Sequence, residues 1–237
     1  MPSITGPKFL SPTEIRVAET DQAGVLGSRV ETLDGRIFRY AFSGTSALVA
    51  GNLLQAPAID SKSIICTVAA AAIGVRLIDV TLASGTATAN EFADGFAVIY
   101  DSAGEGIAYR IAGHAASVAT LITGLQLSEG LQVALTTGSR LSLLNTFRGV
   151  IQSVATTLTG APVGGADFAY AASRYFWLQT GGPGSVLNGD SAVVNQGLMA
   201  GTTAGSVLIV DAGDVVVAKN MQAHVSGEHR GCWWLLN

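Results

Sequence analysis

The residues that normally build the wet face of a helix are scarce in this chain, and that shortage constrains its fold more than any other feature. Only seven glutamates and three lysines occur in 237 residues. Amphipathic helices usually need such side chains on their exposed face, so we expect few long helices. Short runs of Val, Ile, Thr and aromatic residues alternate instead with Gly or Asp-Gly, which is typical of strands and turns. The sequence therefore predicts a mainly β, compact domain, either sandwich-like or barrel-like.

The clearest local signal is a β-hairpin. Asp34-Gly35 separates the alternating runs 29–33 and 36–40, and this dipeptide favours a tight turn because it tolerates positive φ angles. Further strands are predicted over 75–82, 96–100, 107–111, 118–122, 132–135, 207–210 and 215–217, with 140–147 open between a strand and a short helix.

The beginning of the chain has a different character. Pro2, Pro7 and Pro12 recur at intervals of five, and proline favours extended backbone without donating hydrogen bonds. We expect residues 1–28 to form an extended N-terminal arm anchored by Phe9 and Leu10, with fraying as the alternative. Residues 29–237 are then the β-rich domain, and an internal boundary near 150–165 is left open.

Charge is sparse, which bears on assembly. Charged residues make up 13% of the chain, against roughly 25% in an ordinary soluble domain. We therefore expect other subunits to cover much of the surface, in a homotrimer. Arginine outnumbers lysine ten to three, as is common at permanent interfaces. The formal net charge of −4 argues against nucleic acid as a partner.

Several cellular settings are disfavoured. The apolar stretch 64–82 contains Arg76, Asp79 and Gly74, so a pair of strands is expected there rather than a membrane-spanning helix. No secretory signal peptide is recognised, and two cysteines, Cys66 and Cys232, are too few for a disulfide framework. We expect synthesis in the cytoplasm and no membrane partner.

The glycine and serine motifs lack parts that catalysis requires. The segment Gly44-Thr45-Ser46-Ala47-Leu48 has no closing glycine for a nucleophile elbow. Gly104-x-Gly106 lacks the third glycine of a dinucleotide site, and Gly181-Gly182-Pro183-Gly184 lacks the lysine and hydroxyl of a phosphate-binding loop, so both are interpreted as turns.

Acidic and metal-ligating clusters are also weak. Asp94, Asp101 and Glu105 are close in sequence, yet they fall in turns and are interpreted as solvated residues. Near the C-terminus, the residues with ligand-like side chains are His224, Glu228, His229 and Cys232. Their spacing matches no usual zinc module, so a polar turn is preferred. The sequence predicts no catalytic, cofactor-binding or metal-binding residue, no cofactor, and no enzymatic activity.

Two adjacent tryptophans, Trp233 and Trp234, precede the end of the sequence. Neighbouring residues of a strand point to opposite faces, so we expect at least one of them to be buried in the protein or at a subunit interface. A purely intrachain final strand is the alternative. The full set of predicted interface residues is Phe9, Leu10, Arg39, Tyr175, Trp177, Trp233 and Trp234.

Taken together, these patterns of turns and aromatic residues resemble the capsid decoration, or cement, proteins of tailed bacteriophages. The resemblance is carried by Asp34–Tyr40, Gly51–Pro57, Ala69–Val75, Asp94-Gly95, Gly104–Ile111 and Arg174–Gln179. It implies a structural virion protein, usually trimeric, that binds the major capsid protein on the outer capsid surface and stabilises it. The alternative is a phage fibre or tail-associated adhesin that binds a host-surface glycan.

Overall fold

The computed structural model describes residues 8–154, 157–211, 213–223 and 225–236. Within those ranges the regular structure is strand, apart from two short 3-10 helices at Glu14–Arg16 and Ser61–Ser63. In chain order the strands are β1 (Lys8–Phe9), β2 (Arg29–Glu31), β3 (Ile37–Ser43), β4 (Leu53–Gln55), β5 (Cys66–Val68), β6 (Leu77–Thr81), β7 (Phe96–Asp101), β8 (Ala108–Gly113), β9 (Leu121–Leu127), β10 (Arg140–Leu144), β11 (Arg148–Gln152), β12 (Pro162–Gly165), β13 (Tyr175–Asn188), β14 (Gly197–Ala200), β15 (Ser206–Ile209), β16 (Ala218–Asn220) and β17 (His229–Leu235). The mainly β fold class is confirmed.

The chain divides into two compact units. The first consists of residues 1–57 and 146–237, and the second of residues 58–145 is an insertion into it. One end of the insertion, between residues 145 and 146, lies four residues before the 150–165 segment where the sequence left a boundary open, and the other end, between 57 and 58, was not expected. No change of composition marks the true ends of the insertion, because both units are built from the same apolar and glycine-rich strands.

The second unit is a six-stranded antiparallel barrel. Its strands pair in the closed order β10-β5-β6-β9-β8-β7, with β7 returning to β10. Alternate side chains point inward, as in β6, where Ile78 and Val80 are buried between exposed neighbours. The interior is a single apolar core that includes Tyr109, Ile122 and Leu141. A closed barrel of this kind leaves no free sheet edge.

Most strand predictions for the second unit are confirmed, and one is wrong. The segment 64–82 forms the expected strand pair, β5 with β6, and the run after Asp94-Gly95 forms β7. The ambiguous segment 140–147 contains a strand, β10. Residues 132–135 do not form a strand, since only Leu135 makes an isolated bridge, to Ala71. The inward-facing residues there, Leu131 and Leu135, are four positions apart with Val133 exposed between them, so the two-residue alternation of a strand is absent.

The first unit consists of two closed rings of strands that share β13. The first ring runs β3-β11-β4-β12-β13 and back to β3. The second runs β13-β15-β14-β16-β17 and back to β13. At 14 residues β13 is long enough to pair within one ring through its first half and within the other through its second half.

Each ring of the first unit has its own apolar core. Phe176 and Leu178, in the first half of β13, belong to the core of the first ring. Val186, in its second half, packs in the core of the second ring together with Trp234 of β17. The sharing of β13 therefore joins two small cores that neither half could complete alone.

The predicted hairpin is confirmed as β2 and β3, which pair in antiparallel register. Its connection spans residues 32–36 and is longer than a two-residue turn. Of the central dipeptide only Gly35 takes a positive φ, +83°. Asp34 instead accepts a hydrogen bond from the Thr32 hydroxyl and another from the Arg36 amide, which stabilises the wider loop.

The expected extended arm over residues 1–28 is not what the described part of that segment shows. Ile15 is fully buried and Leu26 is 2% exposed, while Phe9 in β1 pairs with β2 in parallel register. Prolines favour extended backbone, but the buried side chains of Ile15 and Leu26 anchor this segment within the first unit, to which it belongs. Residues 1–7 lie outside the described residues.

Candidate functional site

The run Gly181-Gly182-Pro183-Gly184 lies inside β13, so the interpretation of this motif as a turn is wrong. It occupies the place where β13 leaves one ring and enters the other. The register with β3 shifts between Gln179 and Gly181, and Gly182 has a φ of +81°. Such a bulge bends a strand, and glycine adopts this backbone without steric cost. The glycines therefore allow one strand to serve two rings.

Two glycines also make room for the indole ring of Trp234. A Cβ atom added to Gly165 of β12 would overlap the six-membered part of that ring. A Cβ added to Gly184 would lie 2.6 Å from the indole Nε1. Trp234 is 1% exposed, as expected for at least one of the two tryptophans. Its ring is thus held between β12 and β13 by residues that have no side chains.

A cavity of about 330 Å³ opens beside this ring. Its lining residues are Ala50, Gly51, Ala166, Asp167, Gln179, Ser185, His229 and Trp234. Gln179 and Trp234 are buried, whereas Ser185 and His229 are exposed, so the latter two mark the side nearer to solvent. All of these residues belong to the first unit.

Gln179 is held rigidly at the buried side. Its side-chain Nε2 donates to the carbonyl oxygens of Gly181 at 3.0 Å and Pro183 at 2.8 Å. These bonds engage the N–H groups of the Gln179 side chain and fix the orientation of its amide. Within the described part of the chain, no group hydrogen-bonds Gln179 Oε1 at the other end of the amide, or the nearby Trp234 Nε1, and neither atom is among the fully buried ones that lack a partner.

The one carboxylate that lines the cavity is neutralised by arginines. Asp167 accepts from Arg16 Nε at 3.1 Å through Oδ2 and from Arg36 Nη1 at 3.0 Å through Oδ1. The side chains of Asp167 and Arg36 are 13% and 12% exposed, so this second pair is largely withdrawn from water. The cavity wall therefore carries polar groups without a free charge at this point.

His229 closes the side nearer to solvent. Its Nε2 donates to Asn52 Oδ1 at 3.3 Å, and a Cβ added to Gly51 would overlap the imidazole. Among the hydrogen bonds of the described residues, none joins Ser185 to His229 or His229 to Asp167. A serine, a histidine and an aspartate thus share a cavity without forming the chain of hydrogen bonds that nucleophilic catalysis requires.

The ligand-like residues near the C-terminus do not converge. Cys232 points into the core of the second ring, Glu228 pairs with Arg230 at 2.6 Å, and His229 lines the cavity. His224 lies outside the described residues. Among the residues that the structure describes, no group of three His, Cys, Asp or Glu side chains could hold a metal ion.

The thiols of Cys66 and Cys232 and the imidazole of His114 are all buried inside the protein. Burial raises the pKa of Cys66 to about 11 and that of Cys232 to about 12, so both thiols stay protonated near neutral pH. His114, which is 6% exposed, accepts from the Phe92 amide at 3.0 Å through Nε2. Its Nδ1 lies 2.8 Å from the Ala115 carbonyl oxygen, which orients the ring in the barrel.

The remaining motifs lie on loops. Ser46 of the elbow-like segment is exposed in a bend, and no helix follows it. Asp101 and Glu105 are exposed at the β7–β8 connection, where Gly104 and Gly106 both take positive φ angles. The interpretation of Gly104-x-Gly106 as a turn is confirmed.

The predicted interface residues differ in how much of their surface is exposed. Phe9 and Trp233 are 54% and 46% exposed, while Leu10 is half-buried beside the Ile15 core. Trp234 is a core residue with almost no surface left for a partner. Arg39, Tyr175 and Trp177 are half-buried and already have partners within the chain.

These intrachain contacts are specific. Arg39 Nη1 donates to the Gly27 carbonyl oxygen at 2.9 Å. The rings of Tyr175 and Trp177 lie 5.9 Å and 4.9 Å from that of Tyr40. An interface role for the exposed members stays a prediction. The Trp177 and Tyr40 cluster was not recognised from sequence, although the alternation of aromatic residues along 36–42 and 175–177 could have indicated it.

The comparisons with known proteins add no relative. No protein-family model matches the chain, and no curated protein or solved structure matches it either. Within the described ranges, none of the helices has the length and apolar character needed to cross a membrane.

Proposed function

We propose that this protein is a structural virion component that decorates the outer surface of a tailed-phage capsid. In this proposal it assembles as a homotrimer and bridges neighbouring major capsid proteins. It stabilises the capsid through contact area and performs no chemistry, uses no cofactor, and acts on the virion after synthesis in the host cytoplasm.

The observation that carries the proposal is the apolar outer surface of the barrel unit. Residues 58–145 contain eleven charged side chains, and ten large hydrophobic ones are exposed there. The exposed set is Ile59, Ile64, Ile65, Ile73, Leu77, Phe96, Tyr100, Val118, Leu121 and Val133. A monomer in water rarely carries so many, and apolar surface of this kind marks sites of protein contact.

Two of these side chains are direct neighbours, and a third borders further apolar surface. Phe96 of β7 lies opposite the half-buried Leu144 of β10 on one side and Arg110 of β8 on the other. Val118 and Leu121 form an antiparallel bridge and are 79% and 39% exposed. Side chains held on a closed barrel lose little further freedom on binding, which favours them as docking positions.

A trimer would strengthen weak individual contacts. Three linked barrel units bind one capsid site as a single object, so modest contact by each copy can give high occupancy. Trp233, exposed on β17 beside Pro183 and Leu235, offers a further apolar surface for contact between copies. We expect light scattering of the purified protein to give three times the mass of the 24.2 kDa chain.

Quantitative mass spectrometry of purified virions tests the proposal. Hundreds of copies per particle are expected for a decoration protein. A few to tens of copies would favour a fibre or tail-associated adhesin instead, and complete absence from the particle would contradict both.

A pair of variants tests the barrel surface itself. Phe96→Asp should reduce binding to undecorated capsids by more than about tenfold, because a charge would replace a buried apolar contact. Leu33→Asp is the control, since Leu33 is 94% exposed in the hairpin loop of the other unit. Equal binding by both variants and the parent protein would contradict a role for the Phe96 surface.

A further inference from the structure

A donor and an acceptor with no hydrogen-bond partner among the described residues lie close together against Gly184. A Cβ placed on Gly184 would lie 2.6 Å from Trp234 Nε1 and 2.7 Å from Gln179 Oε1. Because both atoms lie this close to one point, a single small group can bridge them. Trp234 and Gln179 are each 1% exposed, and both line the cavity. Because buried polar groups normally have partners, this arrangement favours a molecule that pairs with both.

We infer that the cavity is a binding site for a small neutral ligand that carries hydroxyl groups, about one sugar ring in size. A hydroxyl oxygen can accept from the indole N–H of Trp234 and donate to Gln179 Oε1 at the same time. The indole is a donor only, and Gln179 Oε1 is an acceptor only. A hydroxyl is thus the simplest single group that satisfies both.

The charges of the cavity select a neutral ligand. Asp167 has both oxygens engaged by arginines, so it has no free charge to attract a cation. Neither Arg16 nor Arg36 lines the cavity, and Arg36 is engaged by both Asp34 and Asp167, so the cavity offers no free cation to an anion. Ser185 and His229 supply further polar groups nearer to solvent, where additional hydroxyls of the ligand would lie.

The dimensions agree with a small ligand. A volume of about 330 Å³ is at the lower end of the range of roughly 300–1,000 Å³ that is usual for ligand pockets. The apolar part of the lining comes from Ala50, Gly51 and Ala166. None of these residues has a side chain larger than a methyl group, so they leave room for a ligand. A single sugar ring fits these limits, either free or as the terminal residue of a glycan.

Binding of defined sugars to the full-length protein tests the inference. The probes are D-glucose, D-galactose, D-mannose, N-acetyl-D-glucosamine and L-rhamnose, measured by saturation-transfer NMR and calorimetry. At least one should bind with a Kd below about 10 mM. The same sugars as immobilised terminal residues distinguish the sources, because a pocket for glycan ends binds both forms and a pocket for free sugars binds only the first.

Matched variants connect binding to the two polar groups. Trp234→Phe removes the N–H and should weaken binding about tenfold, the effect expected of one hydrogen bond in a buried site. Trp233→Phe, on the opposite face of β17, should leave it unchanged. Gly184→Ala fills the space between donor and acceptor and should abolish binding. Gly231→Ala is its control, since a Cβ there meets no atom closer than 3.8 Å.

The inference is overturned if no probe binds, or if an experimental structure shows only water between Trp234 Nε1 and Gln179 Oε1 in a sugar-soaked crystal. It is also overturned if Trp233→Phe weakens binding as much as Trp234→Phe. If Trp234→Phe or Gly184→Ala fails to fold, the sugar-soaked crystal of the parent protein decides the matter. Copy number on the virion is independent of these results, so the two proposals can fail separately.

Discussion

Replacing each tryptophan of the Trp233-Trp234 pair by alanine should have very different effects on stability. Trp234 is 1% exposed and its ring fills the space between β12 and β13, whereas Trp233 is 46% exposed on the other face. Loss of a buried tryptophan typically costs about 3–5 kcal/mol of unfolding free energy, part of it from the cavity left behind. We expect about 4 kcal/mol for Trp234→Ala and about 1 kcal/mol for Trp233→Ala, because water fills the space at the exposed position.

Tryptophan fluorescence measures this difference in the relevant unit. All three tryptophans, including Trp177, belong to the first unit, so excitation of indole follows that unit and not the barrel. Each variant keeps two of the three tryptophans, so the fluorescence of the two variants can be compared directly. At roughly 2–4 °C per kcal/mol, Trp234→Ala should lower the melting temperature by about 8–16 °C and Trp233→Ala by a few degrees.

An equal loss of stability in the two variants, at a protein concentration where both are monomeric, would contradict the burial of Trp234 and the exposure of Trp233. A different result addresses the predicted interface. If Trp233→Ala keeps the melting temperature of the monomer but lowers the mass measured by light scattering, Trp233 is a subunit contact. If neither property changes in either variant, neither residue is an anchor.

Three further predictions concern buried groups. Cys66 and Cys232 should react slowly with a thiol reagent at pH 8 in the native protein and fully after unfolding, because burial raises the pKa of each thiol. Burial also raises the pKa of Tyr40, so its contribution to stability should be lost as pH rises above about 10, and Tyr40→Phe should remove that part of the alkaline dependence in thermal melts. Asp167→Asn should cost about 2–3 kcal/mol in urea unfolding, against less than 1 kcal/mol for Glu228→Gln at an exposed ion pair.

The features that sequence could predict are those encoded by neighbouring residues. The β2–β3 hairpin followed from Asp34-Gly35 between two alternating runs, and the strand pair within 64–82 followed from glycine between apolar segments. The opposite orientation of Trp233 and Trp234 followed from the two-residue period of a strand. Local periodicity is sufficient for such features because it does not depend on which strand becomes the partner.

Local patterns failed where a distant partner decides the conformation. Gly181-Gly182-Pro183-Gly184 has the composition of a turn, yet pairing with β17 holds it in a strand. Residues 132–135 have the composition of a strand, yet only Leu135 finds a pairing partner and Val133 is left exposed. The insertion of residues 58–145 has no signature of its own, since its strands resemble those that surround it.

The candidate site shows the same distinction most clearly. The construction of this chain from short strands could be predicted from local sequence, because the chain has few of the residues that helices need and repeats those that strands and turns favour. That Ala166, Gln179 and Trp234 line one cavity depends on the tertiary fold. They lie directly after β12, in β13 and in β17, and no local pattern specifies that these three strands meet. Closing two rings around one shared strand brings them together, and that closure depends on long-range pairing and core packing rather than on any segment alone.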